Sequence, residues 1–203
     1  MKLCMIGTGY VGLVSGTCFA DIGNQVYCVD KDKNKINKLN SGISPIYEPG
    51  LDELIKKNYN ANRLIFTTDI KKAINSSDLI FICVGTPTKK GSLKVDLSFV
   101  YKCVKEILKY TKKKKIIITK STVPVGTGDE IEKIIKKKKK LFSVISNPEF
   151  LREGEAIRDF RYPDRIVIGS DNKSEFKTMK KLYSPLISKG AKFFTTSRKG
   201  AEL

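Results

Sequence analysis

A glycine-rich turn near the start of the chain constrains the fold most strongly. The apolar run Leu3–Ile6 leads directly into Gly7-Thr8-Gly9-Tyr10-Val11-Gly12, and a second run, Val26–Val29, ends at Asp30. A strand, a G-x-G-x-x-G turn, a helix and an acidic residue at the next strand end predict a dinucleotide-binding βαβ unit. In such a unit the helix N-terminus faces the pyrophosphate, and Asp30 would accept hydrogen bonds from a ribose diol.

The acid at the second strand end also bears on the choice of cofactor. A 2′-phosphate at this position would face the Asp30 carboxylate, so the sequence favours NAD over NADP. Lys31 and Lys33 follow at once and would offset part of that repulsion.

Apolar runs alternate with helical patterns along the rest of the chain. This alternation predicts an α/β fold with a doubly wound, Rossmann-type, mostly parallel sheet and helices on both faces. The predicted strands are 2–7, 25–30, 64–67, 79–84, 115–120, 142–146, 165–169 and 191–195. The predicted helices are 11–22, 31–39, 51–57, 70–74, 98–110, 128–137 and 174–182. We expect one domain over residues 1–196, with residues 197–203 beginning a connecting helix.

Composition excludes several kinds of site. The 203 residues include no histidine, and the five cysteines contain no C-x-x-C pair. The sequence therefore predicts no metal site, and it excludes Ser-His and Cys-His nucleophiles within this chain. Buried reduced thiols, no signal peptide and no run of about 18 apolar residues together predict a cytoplasmic protein without a membrane partner.

The net charge of +18 raises the alternative of nucleic-acid binding through two lysine runs, 112–115 and 136–140. Neither run contains arginine for base recognition or aromatic residues for stacking. We interpret both as solvated surface, with no specific nucleic-acid partner, and expect at most a salt-sensitive attraction to polyanions.

Three further segments follow predicted strand ends, where open α/β sheets bind ligands. They are Val84-Gly85-Thr86-Pro87-Thr88, Ser121–Thr127, and Asn147–Gly154. In the last segment Glu149 and Glu153 would share one face if the segment were helical, with Arg152 beside them. A fourth segment, Ser44–Gly50, contains two prolines and a tyrosine, and we interpret it as a packed connector.

These segments together resemble the nucleotide-sugar dehydrogenase family. Six blocks in the family's order carry the resemblance, which spans essentially the whole chain: residues 7–13, 45–51, 84–88, 121–127, 147–154 and 163–169. The last two blocks are more similar to the branch that oxidises UDP-glucose than to the branches that act on GDP-mannose or UDP-N-acetylmannosamine.

The resemblance implies a four-electron oxidation. The sugar C6 alcohol gives a hydride to NAD, a cysteine captures the aldehyde, a second NAD accepts another hydride, and water cleaves the thioester to UDP-glucuronate. It also implies a homodimer for the intact enzyme and a possible monomer for this chain.

The resemblance assigns roles to residues by position. NAD contacts are implied for Gly7, Thr8, Gly9, Tyr10, Val11, Gly12, Asp30, Lys35, Val84, Gly85, Thr86, Pro87, Thr88, Ser121, Thr122, Val123 and Glu153. Sugar contacts are implied for Glu149, Phe150, Leu151, Arg152 and Glu153. Thr122, Glu149 and Glu153 are the implied catalytic residues, with Thr122 and Glu149 positioning a water and moving protons, roles that a buried carboxylate and a hydroxyl can perform.

The sequence departs from the family pattern in one respect. The family's nucleophilic cysteine lies in a glycine-rich segment of a later domain, after a helix that supplies a lysine and an asparagine, and none of these occurs here. We therefore expect the N-terminal part of a larger enzyme, without the central and C-terminal UDP-sugar domains, that binds NAD but does not complete the reaction. A stand-alone NAD-binding module without catalysis is the alternative.

Overall fold

Eight strands and ten α-helices alternate along the chain in the computed structural model, which describes residues 1–89, 91–111 and 113–203. The strands are β1 (Lys2–Ile6), β2 (Gln25–Val29), β3 (Leu64–Thr67), β4 (Leu79–Ile82), β5 (Lys115–Thr119), β6 (Phe142–Ser146), β7 (Arg165–Gly169) and β8 (Lys192–Thr196). The helices are α1 (Tyr10–Asp21), α2 (Lys33–Asn40), α3 (Leu51–Asn60), α4 (Ile70–Ser76), α5 (Ser98–Tyr110), α6 (Thr127–Ile135), α7 (Ala156–Arg161), α8 (Lys173–Leu182), α9 (Ser184–Ile187) and α10 (Arg198–Glu202). A 3₁₀ segment covers Lys136–Leu141.

The strands form one sheet in the order β3-β2-β1-β4-β5-β6-β7-β8. Strands β1 to β6 pair in parallel, whereas β7 meets β6 antiparallel through Ser146 and Gly169 and pairs in parallel with β8. The predicted mostly parallel, doubly wound sheet is confirmed. Because β2 and β4 flank β1 on opposite sides, the chain changes direction at β1 and leaves a crevice at the carboxyl ends of β1 and β4.

Side chains of β1 divide between the two faces of the sheet. Leu3 and Met5 pack into a cluster that contains Phe19 of α1, whereas Cys4 and Ile6 pack into a second cluster on the opposite face. Both faces are covered by helices, so the central strands are apolar at nearly every position. This rigid base fixes the strand ends that carry the candidate site.

The predicted strands all occur, with boundaries that differ by at most two residues. The seven predicted helices also occur, and Ser197 caps the predicted terminal helix by accepting a hydrogen bond from the Gly200 amide. The sequence analysis missed α7, α9 and the 3₁₀ segment. All three are too short to show a helical period, and α9 has a proline in its first turn.

The interpretation of one lysine as solvated was wrong. Lys115 is only 5% exposed, because it begins β5 and its ammonium donates hydrogen bonds to the carbonyl oxygens of Ser77 and Asn75. Lys113, Lys114 and the run 136–140 are exposed as predicted. Lys112 lies outside the described residues. Within the part of the chain that the structure covers, no helix has the length and apolar character needed to cross a bilayer.

Candidate functional site: the crevice at the glycine turn

The three glycines of the turn have different surroundings. Gly7 has φ +102°, and a Cβ there would lie 2.7 Å from the Cys83 carbonyl oxygen. A Cβ at Gly12 would lie 1.9 Å from the Gly7 carbonyl oxygen, whereas a Cβ at Gly9 would meet no atom of residues 1–89, 91–111 or 113–203 within 4 Å. Gly7 and Gly12 therefore allow β1, α1 and the end of β4 to approach closely. Gly9 leaves open space in front of the α1 N-terminus.

Asp30 lies at the end of β2, opposite this turn. Its Oδ2 accepts hydrogen bonds from the Thr8 amide at 3.1 Å, the Thr8 hydroxyl at 2.7 Å and the Lys35 ammonium at 3.0 Å. Among the described residues, its Oδ1 accepts one, from the Asp32 amide at 3.1 Å. Burial alone would raise the pKa of the Asp30 carboxyl, but the hydrogen bonds from Thr8, Asp32 and Lys35 outweigh it and lower the pKa to about 2. Asp30 is thus an anion at neutral pH, and Oδ1 has capacity for a further donor.

A crevice of about 840 Å³ opens between this turn and the end of β4. Eight predicted cofactor residues line it: Gly7, Gly9, Asp30, Lys35, Val84, Gly85, Thr86 and Pro87. The other wall of the crevice was not predicted from the sequence. It is formed by α5, through the side chains of Phe99, Lys102, Cys103 and Glu106. Lys31 also lines the crevice, and its ammonium lies 5.6 Å from the Phe99 ring centroid. The apolar face of the predicted helix 98–110 indicated that this helix packs against the sheet. It did not indicate which end of the helix lies at the edge where the crevice is.

Two of the predicted loops are joined to each other beside the crevice. The Thr86 hydroxyl donates to the Thr122 carbonyl oxygen at 2.9 Å, and the Ser121 hydroxyl donates to the Val84 carbonyl oxygen at 2.6 Å. These bonds hold the loop after β5 against the loop after β4. The Thr122 side chain itself is exposed, Val123 packs against the core, and Thr88 lies farther out in an isolated bridge to Val95.

The segment 147–154 is a loop and not a helix, so the condition under which Glu149 and Glu153 would share a helical face is not met. Glu149 turns back and accepts a hydrogen bond from the Leu151 amide, a local contact that competes with a helical turn. Glu153 is exposed, and Arg152 forms ion pairs with Glu155 and Asp159 at 2.7 Å each. The loop nevertheless meets the turn, because the Gly154 amide donates to the Tyr10 hydroxyl at 2.8 Å.

A second crevice, of about 720 Å³, borders this loop. Glu149, Phe150, Leu151 and Arg152, all predicted to contact the sugar, line it, and Glu153 does not. The sequence analysis missed Lys120, which is 4% exposed and lines the same crevice. Burial lowers the pKa of the Lys120 ammonium, while the neighbouring Cys83 and Glu149 act in the opposite direction. Nothing in the local sequence separates Lys120 from the many exposed lysines of this chain, so its burial could not be predicted.

All five cysteines are buried and unpaired by disulfides. Burial raises the pKa of the Cys18, Cys83 and Cys103 thiols to about 12 and raises the pKa of the Cys4 and Cys28 thiols as well. Since the thiolate is the nucleophilic form, none of these cysteines is prepared to attack a substrate.

Two features of the first crevice, the space at Gly9 and the carboxylate of Asp30, fit a dinucleotide. The space at Gly9 lets a pyrophosphate approach the backbone at the N-terminus of α1, a helix of 12 residues. The accepting capacity of Asp30 Oδ1 suits a ribose hydroxyl. A nicotinamide cofactor held there would supply hydride-transfer chemistry.

Comparisons with known proteins agree with this geometry. Residues 1–187 match the model of the UDP-glucose/GDP-mannose dehydrogenase family, NAD binding domain. The chain is 51% identical over 208 residues to a UDP-glucose 6-dehydrogenase of Rhizobium meliloti and 50% identical over 187 residues to UDP-glucose 6-dehydrogenase TuaD of Bacillus subtilis. These matches cover 100% and 91% of this chain but only 47% and 40% of the relatives. The chain thus spans about half the length of the curated relatives it matches.

Solved structures give the same result. A ternary complex of GDP-mannose dehydrogenase from Pseudomonas aeruginosa matches with a TM-score of 0.93 and 36% identity, covering 100% of this chain and 48% of that one. A UDP-glucose dehydrogenase from Pyrobaculum islandicum matches with a TM-score of 0.92 and 33% identity, covering 98% and 47%. The chain belongs to the UDP-glucose/GDP-mannose dehydrogenase family, and it carries that family's NAD-binding domain.

Proposed function

We propose that this chain supplies the NAD site of a UDP-glucose 6-dehydrogenase, which converts UDP-glucose, two NAD and water to UDP-glucuronate and two NADH. The observation that carries the proposal is the crevice between Gly9 and Asp30, with open backbone at one end and an ionised carboxylate at the other. The UDP-glucose 6-dehydrogenases at 51% and 50% identity support the choice of UDP-glucose.

The residues of the crevice would hold NAD in a fixed orientation. We assign the pyrophosphate to the turn 7–12, the ribose diol to Asp30 with Lys35, and the nicotinamide half to the loops 84–88 and 121–123 together with Glu153. The hydrogen bonds that join these two loops support their acting as one surface.

We assign the sugar to the loop 149–153. Thr122 and Glu149 would position a water and move protons, because a carboxylate accepts protons and a hydroxyl both donates and accepts them. Lys120 extends this assignment, since a buried ammonium in the crevice beside Glu149 suits an anionic or hydroxyl-rich ligand. The cysteine that would capture the aldehyde is assigned to another part of the enzyme, since the five thiols described here are buried.

The proposed organisation follows the sequence prediction. Residues 1–196 would form the NAD domain, and residues 197–203, which include α10, would begin the connection to the UDP-sugar domains. We propose a homodimer for the intact enzyme and a cytoplasmic location. The five reduced thiols are typical of a reducing compartment.

GDP-mannose is the second candidate substrate. The GDP-mannose dehydrogenase structure, with a TM-score of 0.93 over the whole chain, favours it. NADH formation by the product of the complete gene, followed with UDP-glucose, GDP-mannose and UDP-N-acetylmannosamine in parallel, distinguishes the candidates. We expect turnover with UDP-glucose; turnover only with another sugar nucleotide would overturn the substrate assignment.

The 203-residue chain by itself should make no NADH above background from UDP-glucose and NAD, because its thiols are buried. Sustained turnover would contradict the assignment of the nucleophile to another part of the enzyme. A reading frame that continues through a cysteine segment supports the enzyme, whereas a stop codon after Leu203 would favour the stand-alone module.

A further inference from the structure

The connector 44–50 places a buried carboxylate between the two halves of the site. Glu48 is 6% exposed, although its neighbour Tyr47 is 85% exposed. Its Oε1 accepts a hydrogen bond from the Ile157 amide at 3.1 Å. Its Oε2 accepts one from the Gly154 amide at 2.9 Å and one from the Tyr10 hydroxyl. One carboxylate thus joins its own connector to α1 and to the segment that leads from the 149–153 loop into α7.

The local sequence explains why this side chain points inward. Ile46 packs against the core and Tyr47 points to solvent, so the next residue faces the protein again. Gly50 then adopts φ +79° and starts α3, whose first residue, Leu51, is buried. The connector is anchored on both sides of Glu48, and the position of its carboxylate is therefore fixed.

All three donors to Glu48 are neutral. Among the described residues, no lysine or arginine forms an ion pair with it. A buried carboxylate without a cation depends on the geometry of its hydrogen bonds, and losing one donor leaves charge uncompensated. Burial and the hydrogen bond to Glu48 raise the pKa of Tyr10 to about 12, so Tyr10 remains a donor at neutral pH.

The two segments that Glu48 joins are the two halves of the proposed site. Tyr10 is the first residue of α1 and directly follows Gly9, which faces the cofactor crevice. Gly154 directly follows the loop 149–153, and four residues of that loop line the second crevice. The Tyr10 hydroxyl and Glu48 Oε2 both accept from the Gly154 amide, so the three groups form a closed triangle of hydrogen bonds.

We propose that Glu48 is a positioning residue that sets the spacing between the cofactor turn at Gly9-Tyr10 and the sugar-facing loop 149–153. This inference rests on the proposed function, in which Glu153 lies beside bound NAD. A shift of the loop 149–153 would move Glu153 relative to NAD. Glu48 touches neither ligand in this account and acts through Tyr10 and Gly154.

The test compares Glu48→Gln with a matched control, Glu175→Gln. Glu175 is also a buried carboxylate, 5% exposed, but it lies in α8, where it accepts from the Ser170 hydroxyl, and it lines neither crevice. Urea unfolding should show both variants folded and less stable than wild type. Titration calorimetry should show the Kd for NAD raised about fivefold by Glu48→Gln and less than about twofold by Glu175→Gln. Equal changes in the two variants, or no change in either, would overturn the proposal.

Amide hydrogen exchange keeps the proposal testable if Glu48→Gln does not fold or if wild type binds no NAD. Tyr10→Phe removes one member of the triangle and should speed exchange of the Gly154 amide about tenfold while exchange in β5 is unchanged. Unchanged exchange at Gly154 would overturn the positioning role. Failure of wild type to bind NAD would instead overturn the proposed function, so the two failures are distinguishable.

Discussion

The two sides of the glycine turn are built differently. On the packed side, Gly7 and Gly12 have backbone atoms where a side chain would begin, and Tyr10 is held by Glu48 and Gly154. On the open side, a Cβ at Gly9 would meet no atom within 4 Å in the part of the chain that the structure describes, and Asp30 Oδ1 accepts a hydrogen bond from the Asp32 amide. The same residue types therefore have different roles on the two sides. Gly7, Gly12 and Glu48 stabilise the fold, whereas Gly9 and Asp30 leave room for a ligand. Substitutions on the packed side should reduce stability, and those on the open side should reduce NAD affinity.

Gly12→Ala should have the largest effect. Its new Cβ would lie 1.9 Å from the Gly7 carbonyl oxygen, so β1 and α1 must move apart. We expect the free energy of unfolding to fall by about 3 kcal/mol or more, measured by urea denaturation. An unchanged denaturation midpoint would show that Gly12 is not needed for packing and would contradict the distinction between the two sides.

Asp30→Ala should reduce NAD affinity by about 1 to 3 kcal/mol, because it removes the acceptor assigned to the ribose diol. Calorimetric titration of the folded variant measures this loss. The matched change Asp32→Ala removes a carboxylate that caps α2 and should leave NAD affinity within about twofold of wild type. Equal effects of the two substitutions would remove the assignment of the diol to Asp30.

Gly9→Ala should reduce NAD affinity about tenfold, or about 1.4 kcal/mol, because its methyl group would enter the space assigned to the pyrophosphate. The free energy of unfolding should change by less than about 1 kcal/mol, since no atom lies within 4 Å of the new Cβ. Denaturation and calorimetry on the same preparation check both parts. A large loss of stability with intact NAD affinity would reverse the assignment of Gly9.

Acid should weaken the fold slightly through Asp30. The pKa of its carboxyl is about 2 in the folded chain, below about 3.9 for an unfolded aspartate. Its contribution is therefore complete above about pH 4 and is lost as the pH falls toward 2. Urea denaturation of wild type and Asp30→Asn should show a stability difference that shrinks over this interval by about 1 kcal/mol or less. A difference that stays constant with pH would contradict the low pKa.

Sequence patterns predicted the sheet well because most of its strands are short apolar runs that end at a turn. They also brought Gly9 and Asp30 to one crevice, because both residues are positioned by local spacing. Their contact with NAD stays a prediction. The loop 147–154 could not be predicted in this way: its shape depends on Glu149 bonding to its own backbone and on Gly154 meeting Tyr10, a residue 144 positions earlier.

Glu48 and Lys120 show the same limit. Glu48 lies in a segment that we interpreted as a packed connector. Glu48 is buried there, but Pro45, Tyr47 and Pro49 are exposed. The partners of the Glu48 carboxylate come from distant parts of the chain. Lys120 follows a strand in a lysine-rich sequence, where nothing local separates a buried ammonium from the many exposed ones. Both residues acquire their surroundings only when the sheet brings separate loops together.

Titration of the ¹⁵N-labelled chain with NAD, followed by amide chemical shifts, tests the central claim most directly. We expect saturable shifts that are largest at residues 7–12, 30–35 and 84–88, with weaker saturation by NADP. No saturable shift at millimolar NAD, or shifts concentrated away from the turn and Asp30, would contradict it.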